Sequence, residues 1–358
     1  MQIIILGMHR SGTSVVARLL NMMGAYFAPD EVMMQPTTAN PKGYWEREDI
    51  RVLNDDIFNS LGTSWDNIND FDVSLLTDEV QKEFAPRVQK IIFNLDAHRP
   101  WMVKDPRLCL LLPVWRSLLE VPVCIYVYRN PIQVAQSLQT REGLLAVNEG
   151  ATLYSTRMAG YLTNEIKFPI TLGMALWEKY TLNALANSEG LPRILVSFHD
   201  LMSNPVDTIK TLYQNLLSYE VQGLRLPSDR EILAYIEPKF FHEHGDNELQ
   251  KAYINTQQAH LVKAFQKSNI LELQPLPNLS TGASEVLEEY QNQLLAADKI
   301  LAYRQDIAQR DEEIAKRDAE IAKRDAEIAG RDKEIAKRER QVNELKAAVI
   351  SSSNANTQ

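Results

Sequence analysis

Only two cysteines occur in 358 residues, and both, Cys109 and Cys124, lie in apolar stretches. So few thiols argue against a disulfide framework, and their setting marks them as buried thiols rather than a metal site or a nucleophile. A reducing cytoplasm suits such a chain. Nowhere do apolar residues approach the run of ~18 that a membrane helix needs. The first apolar run ends at Leu6, Gly7 and His9-Arg10 interrupt it, and no basic stretch precedes it, so no secretion signal is expected. Excess positive charge is missing too. A net charge of -9 argues against a general nucleic-acid binder while leaving room for a local basic pocket. What is present is ample apolar material: 45% of residues are hydrophobic, enough for a full core in one large or two medium domains.

The opening segment, Gln2-Ile3-Ile4-Ile5-Leu6-Gly7-Met8-His9-Arg10-Ser11-Gly12-Thr13-Ser14, reads as strand, turn and helix start. Such a unit aims backbone N–H groups and the positive end of a helix dipole at one point, which suits an anion. Gly12 lets the backbone approach closely, and Ser11, Thr13 and Ser14 add hydroxyls. The spacing Gly7-x-x-x-x-Gly12 is that of a nucleotide P-loop, yet Thr13 stands where the lysine belongs. Arg10 is the cation inside the loop, so a phosphate-like group is expected without the ordinary ATP or GTP reaction. Read as plain structure, the glycines mark only a connecting turn.

Further along, a helix is expected over Asp49–Leu61, a longer amphipathic one over Asp78–His98, and another from Pro131 to about Arg141. Others are expected over Thr171–Asn187 and from Pro205. Short apolar strands are expected at Trp101–Val103, Val121–Tyr128 and Arg193–Ser197. Strands alternating with helices give an α/β fold, a parallel sheet with helices on both faces. In such sheets ligands gather at the carboxyl ends of the strands, where the loop, Lys104-Asp105-Pro106-Arg107 and Arg129 all fall.

The C-terminal part differs in kind. Ile307, Ile314, Ile321, Ile328 and Ile335 recur every seven residues, and Val342 and Val349 continue the series. With isoleucine at a, arginines from Arg310 to Arg338 occupy d; with isoleucine at d, acids from Asp311 to Glu339 occupy a. Either register leaves half the seam charged. Glu313→Arg317, Glu320→Arg324, Glu327→Arg331 and Glu334→Arg338 are i,i+4 pairs in the favourable order, each contributing ~0.2–0.5 kcal/mol. A long solvated helix of roughly 65 Å and a weak coiled coil, pairing two copies or a protein partner, are both compatible with the repeat.

In order and spacing these clusters resemble the sulfotransferase superfamily, over about Met1 to Gly245. The resemblance implies a P-loop NTPase-like fold and 3′-phosphoadenosine-5′-phosphosulfate as donor, with no metal. His9, Arg10, Ser11, Gly12, Thr13 and Ser14 then look like the 5′-phosphosulfate loop, in the arginine form similar to tyrosine-protein sulfotransferases. Tyr128-Arg129-Asn130-Pro131 through Ser137 looks like the 3′-phosphate motif, Arg129 and Ser137 being its pair. Asn40-Pro41-Lys42-Gly43-Tyr44-Trp45-Glu46 and Lys104-Asp105-Pro106-Arg107 resemble bacterial members, many of which modify carbohydrates; a saccharide or glycolipid acceptor is the resulting expectation. The domains expected are 1–250 for catalysis, 251–300 as a helical linker, 301–348 as the heptad helix and 349–358 as a disordered tail.

Two carboxylates compete as general base. Glu31 stands at the spacing of the catalytic glutamate in the tyrosine-protein enzymes. Glu46 follows Tyr44-Trp45, an aromatic pair suited to facing a sugar. Lys104 is expected to bridge toward the transferring group and Asp105 to orient Lys104 or the loop. The histidine base and the Arg-Lys-Gly motif of the cytosolic enzymes have no match. His242 and His244, two apart with no completing ligands, read as loop residues at the rim rather than as a metal site. The rival readings are a P-loop kinase and a non-catalytic scaffold that presents the charged helix.

Overall fold

The computed structural model describes residues 1–29, 32–34, 43–148, 169–236, 253–267 and 270–355. Strands β1 (Gln2–Leu6), β2 (Trp101–Lys104), β3 (Pro122–Tyr128) and β4 (Arg193–Ser197) form a parallel sheet in the order β2-β1-β3-β4. Helices α1 (Thr13–Met22), α2 (Glu48–Ser60), α3 (Asp78–Asp96), α4 (Leu108–Arg116) and α5 (Pro131–Asn148) fall in its first part. Next come α6 (Ile170–Asn187), α7 (Phe198–Ser203), α8 (Pro205–Ser218), α9 (Asp229–Tyr235), α10 (Thr256–Gln266) and α11 (Thr281–Ala355). The chain divides into two compact units, Met1–Ala296 and Ala297–Gln358.

Both faces of the sheet are covered, which is why β1, β2 and β3 are buried along their whole length. On one face Ile3, Ile5, Val123, Ile125, Ile194 and Val196 pack with Val16, Leu19 and Leu20 of α1 and Ile209, Leu212 and Leu216 of α8. On the other, the rings of Tyr126 and Tyr128 stack on Phe265 of α10 at 5.4 and 4.1 Å. The Tyr126 hydroxyl donates to Thr181 Oγ1 at 2.9 Å. Cys109 and Cys124 are unbonded to each other and buried, and burial pushes both thiols up to about 12.

Helix α4 is absent from the sequence-based expectation. Leu108 to Leu112 and Val114-Trp115 are all buried, so an apolar residue at nearly every position erases the helical period. Helix α5 runs past the expected end at Arg141 to Asn148. The stretch expected as a linker over 251–300 is part of the first unit up to Ala296. There the Tyr290 hydroxyl donates to Asp66 Oδ2 at 2.8 Å, and Ser280 N–H and Oγ donate to the buried Glu178 at 2.6 and 2.8 Å. Helix α11 continues to Ala355. Among the described residues no helix is long and apolar enough to cross a membrane.

Candidate functional site

Parallel strands deliver three polar segments to one end of the sheet. Ile5 of β1 lies opposite Lys104 of β2, and Leu6 opposite Tyr126, two residues before β3 ends. After β1 the chain turns through Gly7 to Gly12, with Arg10 at φ 68° and Gly12 at φ 94°. Gly12 caps α1 without a side-chain hydrogen bond, and no acid sits in the first turn. The helix therefore presents N–H donors and a partial positive charge at the loop, uncompensated by any carboxylate of its own. A Cβ on Gly12 would lie 2.2 Å from Phe198 Cδ2, so glycine is required both by conformation and by the ring behind it.

Two arginines hold this loop. Arg10 Nε donates to Ser137 Oγ at 2.9 Å, and Arg129 Nη1 donates to the Arg10 carbonyl at 3.1 Å. Arg129 also donates to Gln133 Oε1 at 3.3 Å and lies over the Phe198 ring, 4.7 Å from its centroid. Left-handed backbone at a non-glycine residue costs ~1–3 kcal/mol, and at Arg10 these tethers offset it. Burial first, then the charge of Arg141, pulls Arg10 down to about 10. Burial and the nearby Arg10 do the same to Arg129. Both stay charged at neutral pH, close together, a geometry that favours an anion between them. Ser137 thus meets Arg10, and Arg10 in turn meets Arg129, so the three residues expected at the two anion sites form one connected cluster.

The rest of the loop is buried around this cluster. Ser11 N–H donates to Met8 O at 3.1 Å, and Thr13 is buried. Ser14 Oγ donates to Tyr44 O at 2.8 Å, so its hydrogen ties down the 43–46 segment. His9 packs edge-on to Trp65 at 4.8 Å and to Tyr180 at 6.0 Å, its Nε2 buried and without a hydrogen-bond partner among the described residues. Burial, then Arg141, Arg107, Lys104 and Arg10, holds its imidazole well below the usual 6.5. The ring is neutral.

Beside the loop, buried Lys104 donates to Glu46 Oε1. The structure therefore joins two sequence-predicted residues, Lys104 and Glu46, to each other. Glu31 lies outside the described residues, as do Asn40, Pro41, Lys42, His242 and His244. Trp45 packs against Phe27 at 5.6 Å and under the Arg18 guanidinium at 5.0 Å, which accounts for its aromatic ring as packing. Asp105 does not orient Lys104; its Oδ1 accepts from Arg107 N at 2.8 Å and Arg107 Nη1 at 3.2 Å. Arg107 Nε donates in turn to Asp55 at 2.6 Å. Burial alone would lower Arg107, but Asp105, Asp55 and Glu46 outweigh it and raise it above its ordinary value.

Phe198, Arg141, Trp65 and Tyr180 join the cluster without a motif to mark them in the sequence. Arg141 lies over Trp65, 4.7 Å from the centroid, and pairs with Glu142 at 2.6 Å. Residues distant in sequence meet here only through the fold, although Phe198 did carry one signal: it directly follows a strand end. A cavity of about 680 Å³ opens at Arg129, bordered by Tyr128, Asn130, Gln133, Ser197 and Asp200.

Comparison with known families matches residues 2–217 to a model described as "Sulfotransferase family". Among solved structures the chain is similar to the sulfotransferase domain from the curacin biosynthetic pathway, at 15% identity and TM-score 0.38, covering 80% of this chain and 96% of that one. It is also similar to the sulfotransferase domain of the Synechococcus PCC 7002 olefin synthase, at 17% identity and TM-score 0.35, over 80% and 93%. A sulfotransferase from Mycobacterium avium aligns at 15% identity and TM-score 0.36, over 77% and 78%. No curated protein matches.

Proposed function

The chain belongs to the sulfotransferase family, and from that premise we propose that it moves a sulfuryl group from 3′-phosphoadenosine-5′-phosphosulfate to an acceptor hydroxyl by in-line displacement. That it is an enzyme of sulfuryl transfer follows from the family; donor, acceptor and residue roles are our assignment. The observation that carries it is the pair Arg10 and Arg129, meeting beside the uncapped start of α1.

The donor set fits a polyanion. Two half-buried guanidinium groups, helix N–H groups and no first-turn acid make one strand-end crevice. When bound, the donor supplies an activated sulfuryl group and leaves as adenosine 3′,5′-bisphosphate. Arg10 and the first turn of α1 hold the phosphosulfate end and stabilise charge developing on the leaving phosphate. Arg129, backed by Phe198 and open to the cavity beside β4, holds the 3′-phosphate. Ser137 ties Arg10 to helix α5, the element that follows Arg129.

Glu46 takes the acceptor proton, with Lys104 fixing its carboxylate at the end of β2. Glu31 is the second candidate. A kinase would need a lysine reaching the loop, and Lys104 is committed to Glu46 instead. A saccharide or glycolipid acceptor is supported by the similarity of Gly43-Tyr44-Trp45-Glu46 to carbohydrate-modifying members, and no longer by Trp45 itself. The two buried, unpaired cysteines support a reducing cytoplasm as the compartment.

Single-turnover transfer of labelled sulfuryl from this donor to a panel of sugars tests the reading. Arg10→Ala and Arg129→Ala should each abolish transfer. Glu46→Gln should slow it ~10²-fold or more, with Glu31→Gln much less affected. Normal transfer by both arginine variants would overturn the assignment.

A further inference from the structure

The second unit carries a surface that catalysis does not use. Ile307, Ile314, Ile321, Ile328 and Ile335 are 55–56% exposed on α11, and Val342 and Val349 continue the same stripe at 48% and 66%. A lone solvated helix has no use for so regular a line of large apolar side chains. The i,i+4 ladder that would stabilise such a helix is nonetheless present, at Arg310–Asp306 (3.0 Å), Lys316–Glu312 (2.7 Å), Arg324–Glu320 (2.7 Å) and Arg338–Glu334 (2.8 Å).

The ends of the repeat settle its register. Three residues after Ile300 stands Tyr303, and three after Val342 stands Leu345, exposed by 69% and 66%. With isoleucine at a, both fall at d, and the seam opens and closes on apolar a/d pairs. With isoleucine at d, the a positions at the same ends would be Arg304 and Lys346. Only the first register gives a continuous apolar edge at each terminus.

That register also resolves the charged half of the seam. Arg310, Arg317, Arg324, Arg331 and Arg338 then sit at d, each followed at e by Asp311, Asp318, Asp325, Asp332 or Glu339. The acid four residues before each arginine lies at g of the same helix, and three of these pairs are formed within the chain. In a parallel pair a d side chain lies beside the partner's e position. Each arginine therefore lays its apolar stem in the seam while its head meets its own g carboxylate and the partner's e carboxylate. An antiparallel pair would instead set isoleucine against arginine in every layer.

We propose that residues 300–349 join the same segment of a second copy of this chain as a parallel, in-register, two-stranded coiled coil, with isoleucine at a and arginine at d. A strict seven-residue repeat winds such a pair left-handed. β-branched residues at a favour two strands.

The test is sedimentation of the full chain over a concentration series. It should approach twice 40.8 kDa, whereas the combined variant Ile314→Asn, Ile321→Asn, Ile328→Asn should stay at the single-chain mass. These positions are exposed, so the first unit still folds and its single-turnover transfer is unchanged. Arg317→Leu with Arg324→Leu should tighten association at least ~10-fold by filling d; no tightening overturns the register. Ile307→Cys, oxidised with copper phenanthroline, should cross-link to itself. Cross-linking only when mixed with Val342→Cys shows an antiparallel pair and overturns the orientation. A wild-type chain that stays single at every concentration overturns the proposal.

Discussion

Replacing Gly12 by alanine tests how the loop is held. The new methyl would sit 2.2 Å from Phe198 Cδ2, 2.8 Å from Cε2 and 3.1 Å from Cγ. Carbon contacts are comfortable at ~3.5–4.0 Å, so ring or loop must retreat by more than an ångström. Overpacking of that order costs ~1–3 kcal/mol, and the left-handed backbone at φ 94° adds ~1–2 kcal/mol for any residue with a Cβ. Phe198→Ala by itself should cost ~3–5 kcal/mol, because the ring is buried and leaves a cavity. In the double variant the overlap vanishes while the backbone strain stays. Urea unfolding should therefore show the double variant ~1–3 kcal/mol more stable than the sum of the singles implies. Titration with adenosine 3′,5′-bisphosphate should show the same coupling: Gly12→Ala binds weakly, and removing the ring recovers part of the loss. Additivity within ~0.5 kcal/mol would refute the claim that Phe198 braces the loop.

Asp105→Asn leaves buried Arg107 with one carboxylate partner instead of two and should cost ~3–5 kcal/mol of stability, read by urea denaturation. Trp45→Ala should lower stability and leave the acceptor KM unchanged, because the ring packs on Phe27 and Arg18; a large KM effect would return Trp45 to the acceptor site. His9 resists protonation in the folded chain, so below pH 6.5 the unfolded chain takes up a proton that the folded one refuses. Stability is then lost as pH falls. His9→Phe should remove up to ~1.4 kcal/mol per pH unit of that loss just below the histidine's ordinary value. Equal slopes for variant and wild type in unfolding on both sides of it would contradict a neutral His9. Deletion of residues 307–358 should leave single-turnover transfer unchanged.

Much of this architecture is legible in the chain because local patterns state it. The β1 run and the unbroken apolar stretch of β3 announce buried parallel strands, and strand ends then identify Arg10, Lys104 and Arg129. Arg193–Ser197 is a strand in both readings. What stayed hidden depends on tertiary contact. Helix α4 is apolar on every side, so no period marks it. Nothing local says that Ser137 would choose Arg10, or that Phe198 would lie under both Gly12 and Arg129. Glu46 looked like a base beside a sugar platform; the fold turns its neighbour Trp45 into packing and gives its carboxylate to Lys104. Asp105 likewise belongs to Arg107, two residues away, rather than to the lysine next to it.

Calorimetric titration without metal tests the central claim most directly, comparing adenosine 3′,5′-bisphosphate with adenosine 5′-monophosphate and ATP on wild type and Arg129→Ala. The account expects the bisphosphate to bind most tightly, and the advantage given by its 3′-phosphate, ~1.5–3 kcal/mol for charge-assisted hydrogen bonds, to disappear in the variant. Equal binding of ATP, or a 3′-phosphate advantage that survives loss of Arg129, would contradict it.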